Sequence, residues 1–456
     1  MRTLFRGGAV VSGSGIKEAD VIADGEKITE VGRRCRGAFD RAVNASGCLL
    51  FPGFIDAYTH FDSDEGGTAT ADDFYTGSKA ALRGGATTIL GVAHAKAGET
   101  LRGAFARRRA GADAQIFCDY GLHMALSEWN DGTHAQAREL FREGASSFLL
   151  RADALGDRQF YEALRVLSAY GGTCAAECGN QAVSDALAAE RLAAGDVSPA
   201  AYPATRPAAL EAEGVSRALR IAQTARAPLV IRRVSSAEAL SEVKRARRRG
   251  QAAFAETCAR YLTLDEGAYR TGDAALYVCA PPLRPRSDQS ALWLGLRLKE
   301  IQFVSSDHRA FTKAQKEAAH DDFTRIPSGL PGAGECAELL YSYGVAERRI
   351  SAADMCRALC ENPAKLYGLW PRKGRIAPGA DADIVIYDPG DSHVITARDS
   401  VSPAGHTPYE GFATVGGIRQ VWLRGTPIVD RGEFLPVTPK GAYLYRGKCS
   451  LRTERG

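Results

Sequence analysis

Several short stretches of this 456-residue chain carry polar side chains at spacings that could do chemistry. Tyr58-Thr59-His60 closes the apolar run in PGFIDAYTHFD (52–62), and Glu177-Cys178 closes GTCAAEC (172–178). Arg232-Arg233 lies in LVIRRV (229–234), and Ser305-Ser306-Asp307-His308 follows from QFVSS (302–306). Arg151 ends SSFLLR (146–151), and Glu256 stands in AAFAET (252–257). An imidazole with two carboxylates, His60 with Glu177 and Asp307, could move protons or hold a single zinc or manganese ion. Arginine is an obligate donor and cannot ligate a metal. Arg151 and Arg233 could instead clamp a carboxylate or phosphate bidentately, or pair with the acids beside them. Tyr58 could donate to a ligand carbonyl or simply fill space. Cys178 has no evident histidine partner and reads as an inert thiol.

Side chains this far apart in sequence meet only where a fold gathers the ends of several strands. Eight apolar runs, at 53–58, 87–93, 115–122, 146–151, 172–178, 229–234, 252–257 and 302–306, alternate with charged helical stretches. That pattern predicts an α/β fold, a parallel (β/α)8 barrel over residues 52–368, with chemistry at the C-terminal ends of the strands. Residues 1–51 and 369–435 read as short strands, expected to pair into one small β-sandwich beside the barrel. Residues 436–456 are polar and basic and are expected to be a surface tail.

Bulk properties exclude several classes of partner. The net charge of +4 implies no nucleic acid or membrane surface. No run of about 18 apolar residues occurs. The basic clusters FARRRAG (105–111) and VKRARRRG (243–250) read as last turns of helices, where arginine complements the dipole and glycine follows as a cap. Eleven scattered cysteines without a CxxC pair suit reduced thiols and a cytoplasmic location.

The ordered motifs carry a family resemblance. PGFIDAYTHFD, GGTATADDF (66–74), TRPAALEAE (205–213), AETCARYLTLD (255–265), APPLRP (280–285), SSDHRAF (305–311), DDFTRIPSGLPG (321–332) and NPAKLYGLWPRKGRIAPGADADIVIYDP (362–389) run almost the length of the chain. Together they resemble the dihydropyrimidinase, hydantoinase and allantoinase branch of the amidohydrolase superfamily. The resemblance implies two divalent metals, bridged by a carboxylated lysine, that activate water against a cyclic amide carbonyl.

Residue by residue, most of that apparatus is missing. The first strand-one histidine falls on Tyr58, while the second remains as His60. The bridging lysine falls on Leu149, the strand-five histidine on Glu177 and the strand-six histidine on Arg233; the strand-eight aspartate remains as Asp307. The carbonyl-polarising tyrosine falls near Ala154, and two substrate contacts read Ala280 and Ser328. The expected site therefore has Asp307, His60, Tyr58, Arg233 and Glu177 as its chemical groups and Arg151, Ala280 and Ser328 at the ligand, with no metal. The expected function is that of a degenerate-site homologue, a pseudoenzyme or a repurposed metal-free site. The alternative is a cyclic-amide hydrolase using one zinc or manganese ion on His60, Glu177 and Asp307. The resemblance further implies a homo-oligomer, a tetramer; an active homologue or a small anionic ligand is the partner that this reading suggests.

Overall fold

The computed structural model describes residues 1–65, 67–113, 115–152, 154–319 and 321–451. Gly66 of the 66–74 motif and residues 452–456 of the expected tail lie outside the described residues.

Eight parallel strands form the centre of the molecule. In bonding order they are Phe54–Thr59, Ala86–Ala93, Asp119–Leu126, Ser147–Arg151, Thr173–Glu177, Leu229–Ile231, Ala253–Cys258 and Phe303–Ser305. The ring closes where Thr59 bridges to His308 and the His60 amide donates to the His308 carbonyl at 2.9 Å. Helices cover the outer face, so a strand such as Ala86–Ala93 is buried at every position and reads as an unbroken apolar run. The inward side chains Ile55, Leu90, Leu149, Val230, Phe254 and Phe303 pack into one interior core. Six strands fall within one residue of the sequence reading, and the third and the sixth do not. The third strand starts at Asp119, because the buried Ile116 and Phe117 of the apolar run precede it outside the ladder. The sixth strand stops at Ile231, and Arg233 turns the chain with φ +53°.

The two β-rich ends of the chain merge into one nine-stranded sheet. The N-terminal strand Leu49–Pro52 pairs antiparallel with the C-terminal strand Ile384–Asp388. Phe5 and Trp422 stand three strands apart in the bonding order, yet their rings meet edge to face at 4.9 Å. Strands about 4.8 Å apart in a flat sheet would keep them well separated, so the sheet curls over a shared core. No helix among the described residues is long and apolar enough to cross a membrane.

The basic clusters behave differently from each other. Helix Ala237–Arg248 carries Arg245, Arg247 and Arg248 in its last turn, with Gly250 beyond at φ +81°. Helix Leu101–Asp113 runs through the other cluster and past its glycine, a correction to the expected stop. There Arg108 is buried because its guanidinium donates to the Phe61 carbonyl at 2.6 Å and to Asp62, so it fixes the turn after His60.

The expected surface tail is also corrected. Leu444 is fully buried in the barrel interior, and its amide donates to the Tyr120 carbonyl at 2.7 Å. Arg446 is buried too; it donates to the Ser147 hydroxyl at 2.6 Å and to the Leu122 carbonyl. An apolar leucine between two backbone-bonding partners lets a polar, basic segment seal the N-terminal floor of the barrel.

Candidate functional site

At the opposite end, the strand termini deliver a dense ion cluster. Arg232, its side chain wholly buried, bridges two acids: one nitrogen lies 2.6 Å from Glu177 Oε1 and the other 2.7 Å from Asp307 Oδ1. Its guanidinium carbon sits 3.4 Å above the centre of the Tyr58 ring. Arg233 reaches Glu177 Oε2 at 2.7 Å and Asp307 Oδ2 at 3.8 Å. Arg260, from the short helix Ala259–Thr263, contacts Asp307 Oδ2 directly and the Asp307 carbonyl at 3.3 Å. His60 Nε2 lies 3.3 Å from Asp307 Oδ1.

This charge arrangement decides protonation. Burial alone would raise the Asp307 carboxyl, but Arg260, Arg233, His60 and Arg232 overcome it and hold it well below the usual range. Glu177 is likewise lowered, burial being outweighed by Arg233 and then Arg232. Glu256 goes the other way: burial raises it, although Ser305 and the Arg233 amide donate to it.

Below the cluster the barrel axis is filled. The Tyr58 hydroxyl lies 2.7 Å from that of Tyr367, and its ring stacks on His123 at 4.5 Å. Burial first, then the charge of Arg446, keeps His123 well below its ordinary value, and its nitrogens engage Ser147 and the Ala57 carbonyl. His308 holds a structural post: its Nδ1 accepts from the Gly332 and Ala333 amides, so Nε2 faces Asp72 at 2.9 Å as a donor.

Above the cluster opens a cavity of ≈ 360 Å³. His60, Glu177, Arg233, Arg151, Ala280 and Ser328 all line it, whereas Tyr58, Asp307 and Arg232 lie beneath. Cys178 also lines the cavity, with burial pushing its thiol up and away from the nucleophilic thiolate. Leu149 lines it too, only 1% exposed.

A closed eight-stranded barrel with its polar groups at the C-terminal strand ends, joined to a sheet built from both chain termini, defines the architecture of the amidohydrolases. The amidohydrolase family pattern matches residues 210–428. The chain belongs to that family, in its hydantoinase and dihydropyrimidinase branch. It is 38% identical to a D-hydantoinase of Streptomyces coelicolor over 99% of both chains. It is 35% identical to a D-phenylhydantoinase of Escherichia coli O7:K1 over 98% of both. The crystal structure of a dihydropyrimidinase from Brevibacillus agri superposes with a TM-score of 0.97 at 34% identity, covering 99% of this chain and 100% of that one.

The donor set does not fit the metal centre that the family implies. Leu149 has no atom to carboxylate, so nothing at that position could bridge two ions. Each oxygen of Glu177 and Asp307 already faces an arginine. A dication about 5 Å from one guanidinium would meet roughly 6–7 kcal/mol of repulsion at an effective dielectric of 20. One compact group of metal-capable side chains among the described residues lies elsewhere: Asp119, Asp381 and Asp383. The Lys373 ammonium already sits among them, 2.6, 2.9 and 2.6 Å from the three acids.

Two arginines carry more than strand-end reading assigns them. Arg232 stands in the same run as Arg233 and points along the barrel axis, as the inward position after Val230. Arg260 follows the end of strand seven on a helix, where a strand-end inventory does not look. Its signal was a basic residue inside the AETCARYLTLD motif.

Proposed function

We propose that this chain is a hydantoinase homologue whose barrel mouth binds a small anionic ligand on Arg233, without a resident metal. The observation carrying this reading is a surplus of positive charge. Three guanidinium groups, Arg232, Arg233 and Arg260, meet two carboxylates, Glu177 and Asp307, while Glu256 accepts from the Arg233 amide and Ser305. Arg233 is the most exposed of the three, at 18%, and lines the cavity. The cavity wall repeats the bias: Arg206, Arg233 and Arg284 against Glu177 and Glu211. A carboxylate about 4 Å from Arg233 gains roughly 4 kcal/mol at an effective dielectric of 20 before desolvation. Ring-opening of a cyclic amide yields a carboxylate, so N-carbamoyl amino acids are the first ligands to test. We further expect a homotetramer in the cytoplasm, as the family resemblance implies.

A second reading is cyclic-amide hydrolysis, and the names of the relatives favour it: a D-hydantoinase matches along the whole chain. It needs Glu177 and Asp307 to exchange their arginine partners for one zinc or manganese ion shared with His60. The test is metal analysis of protein purified without added metal and again after zinc or manganese loading, with hydantoin turnover and N-carbamoylglycine thermal shifts in parallel. Stabilisation by N-carbamoylglycine, lost in Arg233→Gln, supports the anion site. Near-stoichiometric metal with hydantoin turnover overturns it in favour of the hydrolase.

A further inference from the structure

We propose that the cavity contains a second anion anchor, Arg206, and that its ligand is a dicarboxylate spanning Arg233 and Arg206. This deepens the anion-site reading and rests on it. Arg206 lines the same cavity just before helix Ala208–Ala225. Its guanidinium lies 4.6 Å over the ring of Tyr202, and one nitrogen donates to the Thr205 hydroxyl at 3.0 Å. Its carbonyl accepts from Arg284 at 2.6 Å, which fixes the backbone from which the side chain projects. The arginine is therefore held in place by stacking and by the chain on either side of it.

What it lacks is an acid. Among the described residues, no carboxylate lies within 4.0 Å of Arg206. Its neighbours differ: Arg284 is paired with Glu211 at 3.0 Å, and Arg233 with Glu177 at 2.7 Å. A half-buried, preorganised guanidinium on a cavity wall that lacks its own counter-ion is a recognition element for an anion. Tyr202 ties the two anchors together. Burial raises the Tyr202 phenol, while the charges of Arg206 and Arg233 both pull it back, and Ser328 stands on the cavity wall. Both guanidiniums face the same cavity of ≈ 360 Å³. A monocarboxylate on Arg233 leaves Arg206 facing water; a second carboxylate on the same ligand engages it. Asn180, Gln181 and Ser184 supply neutral donors and acceptors along the same wall.

The experiment is calorimetric titration of the full chain with acetate, malonate, succinate, glutarate, adipate and inorganic phosphate. It is run on the native protein, Arg206→Gln, Arg206→Lys and Arg233→Gln, with unliganded melting temperatures as the folding control. One dicarboxylate should bind the native protein at least tenfold tighter than acetate. Arg206→Gln should lower that ligand to the level of acetate while leaving acetate affinity unchanged, and Arg206→Lys should recover part of the difference. Arg233→Gln should weaken both classes. Equal affinity for mono- and dicarboxylates, a preference that survives Arg206→Gln, or phosphate binding tighter than every dicarboxylate would each overturn the spanning ligand while leaving an anion site standing. If no carboxylate binds the native protein, the anion site itself falls.

Discussion

Asp307→Asn isolates the electrostatics of the barrel mouth, because it removes one charge at nearly constant shape. Asp307 is only 3% exposed and touches Arg232 at 2.7 Å, Arg260 directly and Arg233 at 3.8 Å. Each such pair is worth about 4 kcal/mol at 4 Å and an effective dielectric of 20, most of it offset by the desolvation of the ions. Deleting one partner leaves the desolvation without its compensation, a net loss of about 3–5 kcal/mol. With an unfolding entropy of about 2.1 cal/mol/K per residue, a cooperative chain of this length loses roughly 3–5 °C in melting temperature. The pH dependence fixes the cause. The Asp307 carboxyl is held below its unfolded value of about 3.9, so its stabilisation is complete above that value. It drains away as pH falls towards the folded value. The gap between native and Asp307→Asn protein should thus be flat above about pH 5 and narrow progressively below about pH 4. Scanning calorimetry from pH 3.5 to 8 reads both. A variant as stable as the native protein at pH 7, or a gap that does not shrink in acid, would refute the argument that Asp307 balances the three arginines.

Lys316 is buried with its ammonium 2.7 Å from the Val278 carbonyl, and burial brings its pKa down to about 7. The unfolded chain then binds more protons between pH 7 and about 10, so native stability rises with pH there by up to about 1.4 kcal/mol per unit, a slope that Lys316→Met should remove in denaturation measured at several pH values. Lys373→Met should cost about 3–5 kcal/mol in chemical denaturation, since it leaves the buried Asp383 without an ion-pair partner among the described residues, while Asp381 keeps Lys27 and Arg372 and Asp119 keeps Arg424. Cys178 should stay largely unalkylated by iodoacetamide at pH 8 when assayed by peptide mass spectrometry, although it lines the cavity, because its thiol stays protonated.

The barrel was legible because strands buried on both faces write unbroken apolar runs, and because ordered motifs such as NPAKLYGLWPRKG survive at full length. The strand ends were equally readable at His60, Glu177 and Asp307. What the sequence concealed follows from local geometry. Two consecutive arginines cannot both point inward on a regular strand, yet Arg233 leaves the ladder at φ +53° and both reach the same acids. Strand alternation gives no hint of that. Arg260 acts from a helix and Tyr367 from beyond the last barrel strand, so neither is visible to a reading of strand ends. The C-terminal segment misled through composition: its lysines and arginines look solvated, while Leu444 and Arg446 are buried by contacts that only the closed barrel supplies.

That closing segment has a consequence for how the molecule comes into being on the ribosome. The strand at 49–52 waits for its partner at 384–388, and the Gly13 amide waits for Glu361, a separation of 348 residues. The floor is shut by the stretch through Leu444 and Arg446, which follows every barrel strand along the chain. Vectorial synthesis therefore delivers an N-terminal sheet without its mate and a barrel with an open base, both exposing apolar surface until the segments at 384–388 and around Leu444 and Arg446 have emerged.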